Sequence, residues 1–137
     1  MKGRTSSECV TRGIRVTARP QFLPHYSDPG NEHFVYSYRV RIANESAATV
    51  MVAARHWLII DTDGGEEVVD GLGVVGEQPV LEPGEAFEYS SFCPLTSAFG
   101  TMEGWYEMVD ADSGRFQAVI GRFYLVAQPD LELESVV

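Results

Sequence analysis

Along most of this chain apolar and polar residues alternate with a period of two, as they do in strands with one face against a core. The longest run sets Phe34, Tyr36, Tyr38, Val40 and Ile42 against Val35, Ser37, Arg39, Arg41 and Ala43. The next, Val50 to Ile60, is apolar on both phases apart from Arg55 and His56, which predicts a central strand with little solvent on its second face. Between them, Asn44 to Ala47 is small and polar and predicts a hairpin turn. A turn from Asp61 then leads into a short strand over Glu67 to Asp70. Phe87 and Tyr89 alternate with Glu88 and Ser90, and Met102, Tyr106 and Met108 alternate with Glu103, Trp105 and Glu107. The last run begins with Phe116, Ala118 and Ile120, after which the inward phase shifts to Phe123 and Leu125; Gly121 is the natural place for a bulge. Adding Ile14, Val16 and Ala18 gives seven or eight short strands and no sustained helical period. The pattern predicts an all-β protein, an antiparallel two-sheet β-sandwich.

Composition narrows the function classes. The 137 residues are 45% hydrophobic and include seven Phe, six Tyr and two Trp, enough for one core. Residues 1–127 are expected to form a single domain, and the acidic tail 128–137, "QPDLELESVV", to fray or serve as a partner-dependent arm. Twenty carboxylates against ten basic side chains give a formal net charge of −10, which argues against nucleic acid and anionic lipid as partners. A basic protein surface, or weak association of divalent cations with exposed carboxylates, fits the charge better. No apolar run has the length of a signal peptide or a membrane helix, so the expected location is cytoplasmic. Cys9 and Cys93 have no metal-ligand spacing and are expected to be free thiols.

Little in the sequence carries catalytic chemistry. The spacing Gly71-Leu72-Gly73-Val74-Val75-Gly76 matches a dinucleotide-binding fingerprint. Pro79 and Pro83-Gly84 follow too soon for the helix whose N-terminus would face the phosphates, so a loop-forming role is expected, with Val74 or Val75 tucked beneath the loop. Ser90, Ser91 and Cys93 have only His56 as a candidate base and no nucleophile elbow, and no catalytic residue is assigned. His25, His33 and His56 lack zinc spacing, and the stretch Asp61 to Glu66 departs from a calcium loop, so no metal ligand and no cofactor is assigned. Arg55 and Trp57 share a phase and could stack. Trp105 is expected to point outward between Glu103 and Glu107, where an indole can anchor a partner.

A longer ordered signature runs through the chain: "RHWLIID" from Arg55, Gly73-Val74-Val75-Gly76, Gln78-Pro79, Pro83-Gly84, Tyr89, and Met102-x-Gly104-x-Tyr106-x-Met108. In these residues the chain resembles the bacterial ApaG family, whose domain also occurs beside F-box and polymerase-delta-interacting modules. It departs from the family at Ser97-Ala98, where Thr-Pro is usual, so that loop's conformation is not carried over. The resemblance implies a fibronectin type III/immunoglobulin-like sandwich, no recognised enzymatic activity, and an association with cobalt tolerance and magnesium efflux. The leading expectation is a non-enzymatic protein-interaction module. The alternative is a protein binding a small ligand, pyrophosphate, nucleotide or a divalent cation, at the loop of Gly71, Gly73 and Gly76.

Overall fold

The computed structural model describes residues 4–63, 65–112 and 114–127; the tail expectation for 128–137 lies outside them. In chain order the strands are β1 (Ser7–Thr11), β2 (Ile14–Phe22), β3 (Phe34–Asn44), β4 (Val50–Asp61), β5 (Gly65–Leu72), β6 (Val80–Leu81), β7 (Ala86–Leu95), β8 (Phe99–Asp110) and β9 (Gly114–Val126). Two short 3-10 turns, Pro24–Tyr26 and Pro29–Asn31, lie between β2 and β3. One sheet runs β1-β2-β3-β7; the other runs β5-β4-β8-β9, with the two-residue β6 paired to β4. Every pairing is antiparallel. No helix among the described residues is long and apolar enough to cross a membrane.

The inward residues are the ones the alternation picks out. Ile14, Val16 and Ala18 from β2 and Tyr36, Val40 and Ile42 from β3 are fully buried, and they meet Met102, Tyr106 and Met108 from β8. Across the core the Tyr89 and Tyr106 hydroxyls join the two sheets through a buried 2.5 Å hydrogen bond.

The connection at Asn44 corrects the expected hairpin. β3 is already flanked by β2 and β7, so it has no free edge to offer β4, and the chain crosses instead to the other sheet. Asn44 makes that crossing self-contained. Its Nδ2 donates to the Ala48 and Leu81 carbonyls at 2.8 and 2.9 Å, and its Oδ1 accepts from the Ser46 N–H and Oγ at 3.0 and 2.6 Å. A fully buried amide is tolerated because each of its polar atoms is bonded.

Two bulges set which side chains face where. On β9, Gly121 and Arg122 together oppose Glu103, so the inward phase passes from Ile120 to Phe123, as the sequence predicts. The second lies on β4. Val52 pairs with Met108 and Ala54 with Glu107, which leaves Ala53 as the extra residue. Before it Val50 and Val52 point inward; after it Arg55, Trp57 and Ile59 lie on the inner phase, and His56 on the outer. The apolar character on both phases of Val50–Ile60 therefore comes from a phase switch as well as from central placement.

Candidate functional site

β5 leaves its ladder at Leu72, and the glycine segment folds back as a tight hairpin. Val74 and Glu77 exchange both backbone hydrogen bonds, at 2.7 and 2.9 Å, so Val75 and Gly76 form a two-residue loop. Their φ angles of +42° and +83° are those of a type I′ turn, an unusual demand on a β-branched residue. Val74 is completely buried beneath the loop, whereas Val75 is exposed. The Gly73 N–H donates to the Ala53 carbonyl at 2.8 Å, and Gln78 Nε2 donates to the same oxygen at 2.9 Å. The β4 bulge thus anchors the loop, and the N–H groups of Gly73, Val74 and Glu77 are engaged within the protein.

The three glycines do different things. A Cβ on Gly73, whose φ is +60°, would lie 1.9 Å from the Glu77 carbonyl oxygen. Gly76 supplies only its left-handed conformation, with nothing within 4 Å of a Cβ. Gly71 makes room: a Cβ there would lie 2.6 Å from a guanidinium nitrogen of Arg55. That guanidinium donates through Nη1 to the carbonyls of Leu72 and Gly73 at 2.9 and 3.1 Å. The expected stack of Arg55 on Trp57 is replaced by these bonds, and Trp57 packs edge-on against Tyr38, Tyr106 and Phe123.

The outer face of the β5-β4-β8-β9 sheet carries the second candidate. Trp105 pairs in register with His56, and His56 with Asp70, so the three side chains form one row. The His56 ring stacks on the indole with centroids 4.0 Å apart and planes 14° from parallel, and its Nδ1 lies 2.5 Å from Asp70 Oδ1. Trp105 is half-buried, and its Nε1 donates to Glu107 at 3.0 Å. Glu103, the other residue expected there, is paired with Arg122. A shallow depression of about 360 Å³ runs from Trp105 and Glu107 past His56 to Gly71 and Leu72, so the two candidate regions adjoin. Leu72 beside it is 79% exposed. His56 and Asp70 escape a sequence reading because only strand register brings them to Trp105.

The remaining candidates are not assembled. Ser90 sits on the outer face of the other sheet beside Arg39, and Cys93 is buried between the sheets, whereas His56 faces outward. Burial, then Glu67 and Asp61, pushes the Cys93 thiol up to about 12, far from thiolate reactivity. Asp61 ties the β7–β8 turn: Oδ2 accepts from the Thr96 N–H and Oγ1 at 2.7 and 2.8 Å, and Oδ1 is bonded by Ser97 Oγ. The Ser97-Ala98 loop therefore takes its shape from a buried serine bridging Asp61 and the Phe99 carbonyl.

Two stacked antiparallel sheets, open along the β5 and β7 edges and carrying a surface indole, define a β-sandwich module of the fibronectin type III/immunoglobulin-like class. The model of the ApaG domain matches residues 24–110, and the chain belongs to the ApaG family. It is 49% identical over 125 residues to Protein ApaG of Anaeromyxobacter dehalogenans, covering 91% of this chain and 98% of that one. Protein ApaG of Rhodospirillum centenum is 51% identical over 116 residues, covering 85% and 89%. Among solved structures, an ApaA protein from Bordetella pertussis superposes with a TM-score of 0.81 at 41% identity, covering 86% of this chain and 96% of that one.

Proposed function

We propose that the protein is a non-enzymatic interaction module of the ApaG type, binding a protein partner through the outer face of the β5-β4-β8-β9 sheet. The observation that carries this reading is the Trp105 ring held flat by His56, with the 79% exposed Leu72 and the 42% exposed Val119 to either side. An aromatic fixed in one orientation contributes contact area with little further loss of entropy on binding. Around it stand the carboxylates of Asp70, Glu103 and Glu107, and the chain as a whole carries −10. The partner surface that complements this face is an apolar pocket with a basic rim. The family's association with cobalt tolerance and magnesium efflux supplies the setting in which such a partner would act.

The test is affinity capture from the source organism with wild type, Trp105→Ala and Leu72→Asp, after urea melts establish that both variants fold. Capture of a partner by wild type, with at least tenfold weaker binding by Trp105→Ala, is the expected result, because buried aromatic anchors are typical hot spots. Equal capture by all three proteins, or none by wild type, would refute the assignment to this face.

A further inference from the structure

We propose that the cleft between the open edges of the two sheets binds a small organic oxyanion, a carboxylate or phosphate ester on a flat apolar body, with Arg55 holding the charged head. β5 ends one sheet and β7 the other. Between them lies a cleft of about 330 Å³ lined by Trp57, Tyr38, Val69 and Phe92, the last 63% exposed at its mouth. Such a volume suits a ligand the size of one substituted ring.

Arg55 reaches this cleft because the Ala53 bulge turns it inward, and Gly71 leaves the space its guanidinium fills. Arg55 as a residue is half-buried, and the bonds of its head to the Leu72 and Gly73 carbonyls, one exposed and one partly buried, are to neutral acceptors. Among the described residues no carboxylate pairs with it. A guanidinium has five N–H donors, and Nη1 alone makes these two contacts, so donors remain for a two-oxygen head group. A guanidinium without a carboxylate partner favours a planar two-oxygen anion. Tyr38 and Ser91, whose side chains are hydrogen-bonded to each other, line the same space.

Glu67 also lines the cleft and fixes the ligand's direction. It pairs with Ile59, whereas Arg55 pairs with Gly71; four residues of strand separate them, about 13 Å at roughly 3.3 Å per residue. The negative head belongs at the Arg55 end, with the uncharged ring toward Trp57 and Phe92. The loop of Gly71, Gly73 and Gly76 thus acts on an anion by placing an arginine, its own Gly73 and Val74 amides being engaged elsewhere. Arg55 also borders the depression beside Trp105, whereas Trp57, Val69 and Phe92 line the cleft and not that depression.

The chain has two tryptophans, so Trp105→Phe leaves Trp57 in the cleft as the reporter. In that background, titration with phenyl phosphate and with benzoate is expected to change the fluorescence saturably, with inorganic phosphate weaker and benzylamine inert. Arg55→Gln should weaken aromatic-anion binding roughly tenfold, and Glu67→Gln should tighten it about twofold. Because Arg55→Gln could loosen the loop, the Arg55 Nε–Hε resonance of wild type is followed in parallel and should shift with phenyl phosphate. The proposal is overturned by no saturable change up to about 10 mM, by benzylamine binding as well as phenyl phosphate, or by a stationary Arg55 resonance during saturation. A response to phenyl phosphate but not benzoate identifies the phosphate ester, and the converse the carboxylate; either supports the site.

Discussion

Replacing Gly73 by alanine tests the account of the glycine loop most directly. A φ of +60° places alanine in the left-handed region at a cost of about 1–2 kcal/mol. The contact is worse than the conformation, because the new Cβ would lie 1.9 Å from the Glu77 carbonyl oxygen. That oxygen cannot easily retreat: it accepts from the Val74 N–H at 2.7 Å, while the Glu77 N–H donates back to Val74 at 2.9 Å. Relieving the clash means opening the hairpin, with loss of at least one of these bonds and of the Gly73 bond to Ala53, each about 1 kcal/mol. It also lifts the wholly buried Val74, whose side chain contributes about 2 kcal/mol. Opening the hairpin in this way is expected to cost about 4 kcal/mol, where the φ angle alone would give about 1–2. Gly76→Ala is the control: its φ is +83°, but its Cβ would meet nothing, and about 1 kcal/mol is expected. Urea unfolding at constant m-value measures both. If Gly73→Ala costs less than twice what Gly76→Ala costs, the contact argument is wrong.

Three further outcomes follow from the same geometry. Val75→Asn converts the I′ loop to Asn-Gly and should stabilise by about 1 kcal/mol in the same melt, since Val75 is exposed and strained at φ +42°. Tyr106→Phe leaves the buried Tyr89 hydroxyl without its 2.5 Å partner and should cost about 2 kcal/mol, whereas adding Tyr89→Phe should restore part of the loss in a double-mutant cycle. Although burial works to raise Asp61, hydrogen bonds from Ser97, Thr96 and Asp63 hold its carboxyl below the usual range. A carboxyl depressed in the folded state contributes stability present above its unfolded pKa, about 4, and lost as pH falls through the folded value; Asp61→Asn should flatten the stability curve in that acid window.

The longer strands and their inward faces were legible because burial imposes the period of two that the sequence displays, down to the phase change at Gly121; β1 and the two-residue β6 were not read from the sequence. The Asn44 crossing was not. A small polar segment between two strands looks alike whether the next strand pairs with the last or joins the opposite sheet, and the choice rests on β7 occupying the far edge of β3. Trp105 could be singled out as outward-facing, but the His56 that covers it and the Asp70 that orients His56 come from strands paired by long-range register. Nor does any local signal show that Gly71 serves Arg55, because they meet only when β4 and β5 pair.

Ala53 shows how one extra residue organises both candidate sites. Without the bulge, β4 would keep the phase of Val50 and Val52, sending His56 and Leu58 inward and Arg55 and Trp57 to the surface. An inward His56 could neither stack on Trp105 nor meet Asp70, and the cleft would lose both its cation and its indole. The bulge also leaves the Ala53 carbonyl free of the β8 ladder to accept from Gly73 and Gln78, which seats the glycine loop over Arg55. Alanine suits the position because Ala53 is itself buried, beside the fully buried Val52. The signature from Arg55 to Gln78 therefore depends on a residue just before it, whose small side chain gives no hint of that role.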